Sequence, residues 1–123
     1  MSGVFAHVRR LPEFEKDLKK LSKRFRTLPE DLETFIETEL QLFHKLSVAT
    51  QGIVRIDGLG VPDPPVYKAR KFACRALKGR GVQSGIRVIY AWRVETDTIE
   101  LIEMYFKADK ENEDRERIKR YYT

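Results

Sequence analysis

Three segments between residues 66 and 107 alternate in polarity with the period of a β-strand, and they constrain the fold of this chain more than any other feature. The segments are 66–74, 85–93 and 98–107, and each is rich in β-branched and aromatic residues. Because successive side chains on a strand point to opposite faces, each segment has one mainly apolar face and one face that carries charge. We therefore predict three neighbouring strands, with a charged face on one side and an apolar face on the other.

Alternation also assigns individual residues to the charged face. The predicted charged face holds Lys68, Arg70 and Phe72 from the first strand, Arg87, Ile89 and Arg93 from the second, and Glu103, Tyr105 and Lys107 from the third. The opposite, apolar face of the third strand would hold Ile102, Met104 and Phe106. A tight turn over 94–98 that closes near Thr96 would place Arg87 opposite Tyr105, and cross-strand pairs on one face touch. We expect Lys68, Arg70, Arg87 and Lys107 to converge around Tyr105 as the candidate site.

Two amphipathic helices precede these strands and would cover their apolar face. Apolar residues recur at three- and four-residue steps over 11–25 and again over 32–46, as they do on one face of a helix. Between them, Thr27 and Glu30 have the spacing of a capping box, and Pro29 suits a first helical turn. We predict a helical hairpin, its second helix reaching about Ser47, packed on one face of the sheet.

The other segments predict shorter elements. Residues 4–8 form a candidate strand that ends at Arg9, and 53–56 form a short extended piece within a long loop over 48–65. Asp109 is a plausible N-cap for a last helix, whose acidic residues come early and whose basic residues come late. Ile118, Tyr121 and Tyr122 would give that helix a narrow apolar edge. The expected fold class is α+β: a small antiparallel sheet, an N-terminal helical hairpin on one face and a C-terminal helix.

Length, charge and cysteine content narrow the class of protein. We expect one domain over residues 1–123. The net charge of +5 favours nucleic acid, acidic protein segments or anionic surfaces as partners. The lone cysteine, Cys74, permits no internal disulfide, no apolar run could span a membrane, and the first residues lack a signal-peptide pattern. These features predict a cytoplasmic protein.

Several familiar catalytic sites are absent from the sequence. It has no phosphate-binding glycine loop, no His-Glu-x-x-His motif and no cluster of Cys and His. Only two histidines are present, His7 and His44, and nothing in the sequence places either beside Cys74 or Ser84. We expect structural roles for His44 and Cys74, and we expect no metal and no small-molecule cofactor.

A cationic pocket with tyrosines suits phosphodiester chemistry on RNA. When a base removes the proton of a 2′-hydroxyl, that oxygen can attack the adjacent phosphorus, and fixed cations stabilise the charge that develops on the phosphate oxygens. A lysine crowded by other cations has a lowered pKa and can transfer protons without a metal. Tyrosine rings can stack on a splayed base. Further cations that could bind RNA are Lys71, Arg75, Lys78, Arg80 and Lys110. The alternative is a strand face of solvated charges with partly buried stems.

Several strings, taken in order, resemble the RelE/ParE superfamily of bacterial and archaeal toxins, and among them the RelE and HigB-like ribonucleases. The strings are Phe14-Glu-Lys-Asp-Leu-Lys-Lys-Leu21, Tyr67-Lys-Ala-Arg70, Ser84-Gly-Ile-Arg-Val-Ile-Tyr90 and Ile102-Glu-Met-Tyr-Phe-Lys107, followed by Asp109-Lys-Glu-Asn112. The string from Ser84 to Tyr90 is the most specific, and the resemblance covers nearly the whole chain.

The resemblance implies a RelE-like fold and a ribosome-dependent mRNA endoribonuclease that works without a metal. It also implies a cognate antitoxin protein as partner. Carried over by position, Lys68 and Arg70 match the paired basic residues of the family's first site strand, Arg87 matches the arginine at the scissile phosphate, and Lys107 falls where relatives place Arg, His or Tyr. The identity of the general acid stays open. ParE-like members share the fold but act on DNA gyrase, so a gyrase inhibitor or a catalytically silent binding protein is the alternative.

Overall fold

The computed structural model describes residues 4–123, and the predicted α+β class is confirmed. The first three residues, on which part of the signal-peptide expectation falls, lie outside the described residues. The elements are β1 His7–Arg10, α1 Pro12–Ser22, α2 Leu28–Phe35 with a π-helical continuation Ile36–Lys45, β2 Ile53–Arg55, β3 Val66–Ala69, β4 Ile86–Arg93, β5 Thr98–Phe106 and α3 Arg115–Tyr122. Within the described residues, no helix is both long and apolar enough to cross a membrane.

The strands form one sheet in the order β1-β5-β4-β3-β2. The pairs β3–β4 and β4–β5 are antiparallel, as predicted. The short extended piece forms β2, which pairs antiparallel with β3, and β1 adds a parallel strand at the edge beside β5. The predicted N-terminal strand is shifted, because it begins at His7 and includes Arg9 and Arg10, which the sequence analysis took as its end. Its side chains are exposed, so this strand lacks the burial that would have revealed its bounds in the sequence.

The helical hairpin covers one face of the sheet, as predicted, and the two together enclose the main core. We call this side of the sheet the helix face. Phe14, Leu28, Leu32 and Leu40 from the helices are fully buried against strand residues such as Tyr90. The helix that starts at Leu28 continues to Lys45, close to the predicted end.

The predicted capping box is wrong, although Thr27 does flank the start of α2. The Thr27 side chain makes no capping hydrogen bond. Its hydroxyl instead donates to Asp31 Oδ2 at 2.6 Å and accepts from the backbone N–H of Ala76 at 3.0 Å. The Thr27 hydroxyl therefore bonds to Asp31 and to the loop after β3, and it does not cap α2 as its spacing from Glu30 predicted.

A β-bulge changes which residues share a face: Ile102 is an extra residue of β5, opposite the step from Ile89 to Tyr90 in β4. The β4–β5 hairpin closes with Arg93 opposite Thr98, and the bulge adds the one-residue offset that brings Arg87 opposite Tyr105. That pairing was predicted and is confirmed. The bulge also turns Ile102 away from the helix face, so its predicted grouping with Met104 and Phe106 is wrong.

The first of the three predicted strands is shorter than expected. Strand β3 ends at Ala69, and alternation fails beyond it. As a result Phe72, predicted on the charged face, is fully buried in the core of the helix face, where its ring centroid lies 5.1 Å from that of Phe35. The N–H of Arg70 still donates to Gly52, in register with β2, whereas the N–H of Phe72 donates to Val82 and not to β4.

Helix α3 covers part of the opposite side of the sheet and builds a second, smaller core. Ile118 is fully buried there against Ile89, Ile102 and Tyr105. Asp109 is not its N-cap: the helix starts at Arg115, and the Asp114 carboxylate accepts from the N–H of Arg117 at 3.1 Å. Asp109 pairs with Arg24 instead. Helix α3 therefore covers part of the charged face, which the sequence analysis predicted to be open to solvent.

Candidate functional site

The open part of the charged face lies where β3 ends, β4 begins and β5 ends. Arg70 and Lys107 are exposed there and Arg87 is half-buried. The Arg87 Nη1 donates to the carbonyl oxygen of Arg70 at 2.9 Å, and the Arg70 Nη2 donates to that of Gln51 at 2.8 Å. The backbone N–H of Lys107 donates to Gly85 O at 2.8 Å, which sets Lys107 beside the start of β4. We call Arg70, Arg87 and Lys107 the cationic lip.

No carboxylate neutralises the cationic lip in the part of the chain that the structure describes. The ion pairs among residues 4–123 involve fifteen cation–carboxylate contacts, and none includes Arg70, Arg87 or Lys107. The guanidinium groups are held at one edge by carbonyl oxygens, and a guanidinium has more donors than those bonds use. The lip can therefore bind an anion in a fixed orientation.

Lys68, which was predicted to join the other cations, lies deeper and has a partner. Its Nζ is 3.0 Å from Glu113 Oε1, with side-chain exposures of 18% and 6% for the two residues. Burial by itself would raise the pKa of Glu113. Hydrogen bonds from its own backbone amide and from Lys68, together with the charges of Lys68 and Arg115, hold that pKa below its usual value. Lys68 is thus paired with a carboxylate, a partner that the predicted cluster of cations did not include.

Tyr105 lies opposite Arg87 of the cationic lip and near Lys68. Its side chain is only 5% exposed, and its buried hydroxyl has no hydrogen-bond partner. Burial raises the pKa of this hydroxyl, an effect that nearby Lys68 partly offsets. The phenol therefore stays protonated at neutral pH and can act as a hydrogen-bond donor. The Lys110 ammonium stands 5.6 Å from the centroid of the Tyr105 ring.

Two residues that sequence reasoning missed fix the segment between β5 and α3. Glu103 is 1% exposed; its carboxylate pairs with Lys110 and accepts from the backbone N–H of Asp114 at 2.8 Å. Arg117 is buried and donates to Asp17 Oδ2 at 2.7 Å and to the carbonyl oxygen of Ile102 at 2.9 Å. The sequence signal for Glu103 was a carboxylate inside an apolar strand, which requires a partner when buried.

The remaining predicted RNA-binding residues lie in different places. Lys71, Lys78 and Arg80 are exposed on the loop that joins β3 to β4, and Lys71 lines a cavity beside Thr34 and Thr38 of the helical hairpin. Arg75 forms an ion pair within the protein, since its Nε donates to the buried carboxylate of Asp31 at 2.8 Å. Lys110 is half-buried against Glu103, so it contributes to structure as much as to charge.

His44 and Cys74 take the structural positions expected of them. His44 Nε2 lies 2.7 Å from the hydroxyl of Tyr90, and burial lowers the pKa of the imidazole to about 4. Cys74 is buried, which raises the pKa of its thiol, and a buried neutral thiol is a poor nucleophile. Within residues 4–123, no group of three or more His, Cys, Asp or Glu side chains is arranged to hold a metal ion.

Comparison with known proteins gives a structural similarity. No family model matches the chain, and no curated protein matches it. Among solved structures, the chain is similar to a chain of the archaeal RelE–RelB complex from Pyrococcus horikoshii OT3. The two are 19% identical, the match covers 87% of this chain and 97% of that chain, and the TM-score is 0.49. A likeness of this degree does not assign a function, which has to follow from the residues themselves.

Proposed function

We propose that this protein is an endoribonuclease that binds and cuts RNA at the cationic lip. The observation that carries the proposal is Arg87, a half-buried guanidinium with no carboxylate partner among the described residues, placed directly opposite Tyr105. Arg70 and Lys107 flank it on the neighbouring strands. Two guanidinium groups held by carbonyl oxygens, with an exposed lysine at the end of the next strand, suit a phosphate group better than they suit a solvated surface.

The finer assignment rests on the sequence resemblance. The strings from Tyr67 to Arg70 and from Ser84 to Tyr90 resemble those of RelE-type toxins, and they contribute Arg70 and Arg87 to the lip. We propose that the substrate is mRNA on the ribosome and that the natural partner is a cognate antitoxin protein. The excess of positive charge is consistent with both an RNA substrate and an acidic protein partner.

The reaction that fits these groups is attack of a 2′-hydroxyl oxygen on the adjacent phosphorus. The 2′-hydroxyl gives up its proton as the 2′-oxygen bonds to phosphorus, and the 5′-oxygen takes up a proton as its bond to phosphorus breaks; water can accept the first proton and supply the second. The products are a 2′,3′-cyclic phosphate and a 5′-hydroxyl. Arg87 and Arg70 would hold the non-bridging oxygens, where negative charge grows in the transition state. Lys107 would add positive charge on the side of β5. Since arginine and lysine supply this charge, the step needs no metal.

Replacing Arg87 with alanine tests the proposal. Removal of one fixed donor to a developing oxyanion costs about 100-fold or more in rate, so Arg87→Ala should all but abolish cleavage. The assay maps mRNA 5′-ends in a translating extract. Arg26→Ala is the matched control, since Arg26 is exposed on the turn before α2 and loses the same charge.

Thermal unfolding of both variants shows whether the fold survives. Undiminished cutting by a folded Arg87→Ala protein would refute the nuclease assignment. A second reading, a toxin-fold protein that binds without cutting, is favoured by one observation: the Lys68 ammonium is already occupied by Glu113. Under that reading no new mRNA ends appear with any variant, and inhibition of DNA supercoiling by gyrase becomes the activity to measure.

A further inference from the structure

Glu113 sits between two cations at the inner end of the charged face. Its Oε1 is 3.0 Å from the Nζ of Lys68, and its Oε2 accepts from the Nε of Arg115 at 3.1 Å. With 6% of its side chain exposed, the carboxylate is almost removed from water. Burying a charge is unfavourable unless donors surround it, so these groups form a compact site for an anion.

A third donor faces this site without an acceptor. The Tyr105 hydroxyl is buried and has no acceptor in normal hydrogen-bond geometry, although Lys68 is near enough to lower its pKa through its charge and its donor. Buried hydroxyls are nearly always bonded, so one whose proton has no acceptor needs an explanation. The two oxygens of Glu113 face Lys68 and Arg115, and neither accepts from the Tyr105 hydroxyl. A phosphate group has additional oxygens arranged in three dimensions and can satisfy donors that a planar carboxylate leaves unmet.

Glu113 can leave this site without unfolding helix α3. The helix is anchored by Ile118, which is fully buried, and by Arg117, whose guanidinium binds Asp17. Its first turn is capped by Asp114, whose own amide is held by Glu103. None of these contacts uses the Glu113 side chain, so rotation of that side chain breaks its pairs with Lys68 and Arg115 and the hydrogen bond from its own backbone amide, but no contact that anchors α3.

We propose that Lys68, Arg115 and Tyr105 form a phosphate-binding subsite for RNA, which the Glu113 carboxylate fills when no RNA is bound. This inference rests on the proposed function and deepens it, because it adds Arg115 to the RNA-binding residues and makes the site self-blocked. An RNA phosphate must displace Glu113 to enter. The lip then binds one phosphate and the subsite binds a neighbouring one.

The experiment measures binding apart from cleavage. A short fluorescent 2′-O-methyl RNA lacks the 2′-hydroxyl that attacks phosphorus, so it binds without being cut. Glu113→Gln removes the blocking charge and keeps the shape, and it should tighten binding by about tenfold relative to Glu111→Gln. Glu111 is exposed and its replacement changes the net charge equally, so it controls for the general attraction of RNA to a more basic protein.

Two further variants locate the effect. In the Glu113→Gln background, Arg115→Gln should return the affinity to that of wild type, because it removes a donor from the subsite. Glu113→Asp keeps the charge but shortens the side chain, and it should tighten binding by less than Glu113→Gln does. Thermal unfolding checks each protein, and Glu113→Asp serves as the test if Glu113→Gln does not fold.

The outcomes separate the two proposals. If wild type binds the oligonucleotide and Glu113→Gln binds no better than Glu111→Gln, the self-blocked subsite is wrong and the nuclease proposal stands. If Glu113→Gln binds more tightly but cleaves no RNA that can be cut, the subsite stands and the nuclease proposal fails. If no variant binds the oligonucleotide, both proposals fail.

Discussion

Acidification from pH 7 to pH 5 should destabilise this protein through His44. The imidazole is packed between aromatic rings, with centroids 4.9 Å from Tyr67 and 5.2 Å from Trp92, and it is bonded to the Tyr90 hydroxyl. Burial lowers its pKa from 6.5 to about 4. Between these values the unfolded chain binds a proton that the folded protein excludes. The contribution of His44 to stability is therefore fully present above pH 6.5 and is lost as pH falls toward 4.

The size of the effect follows from the two pKa values. A shift from 6.5 to about 4 lowers the free energy of unfolding by about 2 kcal/mol between pH 7 and pH 5. This is an upper value, because the ring keeps some contact with solvent, which screens the cost of its charge. It is nevertheless a large part of the stability of a small domain, which is typically about 5–15 kcal/mol.

Urea unfolding of wild type and His44→Gln at the two pH values measures this contribution. Glutamine can still form a hydrogen bond with Tyr90, but it does not titrate, so the difference between the two proteins isolates the imidazole. His7→Gln is the control for the loss of a histidine as such, since His7 is exposed on β1. Equal losses of stability for wild type and His44→Gln would refute the reasoning.

Two further predictions concern the contacts that hold the site in place. Ile118→Ala empties a fully buried position in the second core and should lower the free energy of unfolding by about 2–5 kcal/mol, measured by urea unfolding, whereas unchanged stability would mean that α3 does not dock as described. The buried Asp31 carboxylate accepts hydrogen bonds from Thr27 and from both the backbone and the guanidinium of Arg75. Asp31→Asn weakens these bonds and should lower the free energy of unfolding by about 1–3 kcal/mol, measured by urea unfolding. Since Asp31 lies on the helix face, folded Asp31→Asn should cut RNA as wild type does, and a loss of cleavage at full stability would place it in the site.

Several parts of the candidate site were accessible from the sequence because they depend on local geometry. Side chains alternate along any single strand, so the face shared by Arg87 and Ile89 follows from their spacing. A short turn sets the register of the strands next to it, and here it pairs Arg93 with Thr98. The predicted pairing of Arg87 with Tyr105 also needs the bulge, which the sequence analysis did not include. The helical hairpin was equally accessible, since an apolar stripe with helical period must be buried against something.

The parts that were missed depend on where the chain goes after a strand ends. Phe72 lies on the helix face and not on the charged face, because β3 ends at Ala69. Ile102 lies on the side of α3 and not on the helix face, because of the bulge in β5. The sequence marks each place only by one break in alternation: the adjacent charged residues Arg70 and Lys71, and the adjacent apolar residues Leu101 and Ile102. Thr27 lost its predicted capping role because a loop nearly fifty residues away in sequence supplied better partners.

The sequence by itself therefore determined the strands, the two-helix cover and the row of cations, since each of these is set by the periodicity of neighbouring side chains. Only the tertiary structure decided which of those cations are available. It left Arg87 without a carboxylate among the described residues and gave Lys68 to Glu113, forty-five residues further along the chain. The physical reason is that a charged side chain pairs with whatever the fold brings within a few ångströms, and that partner is chosen by the path of the whole chain.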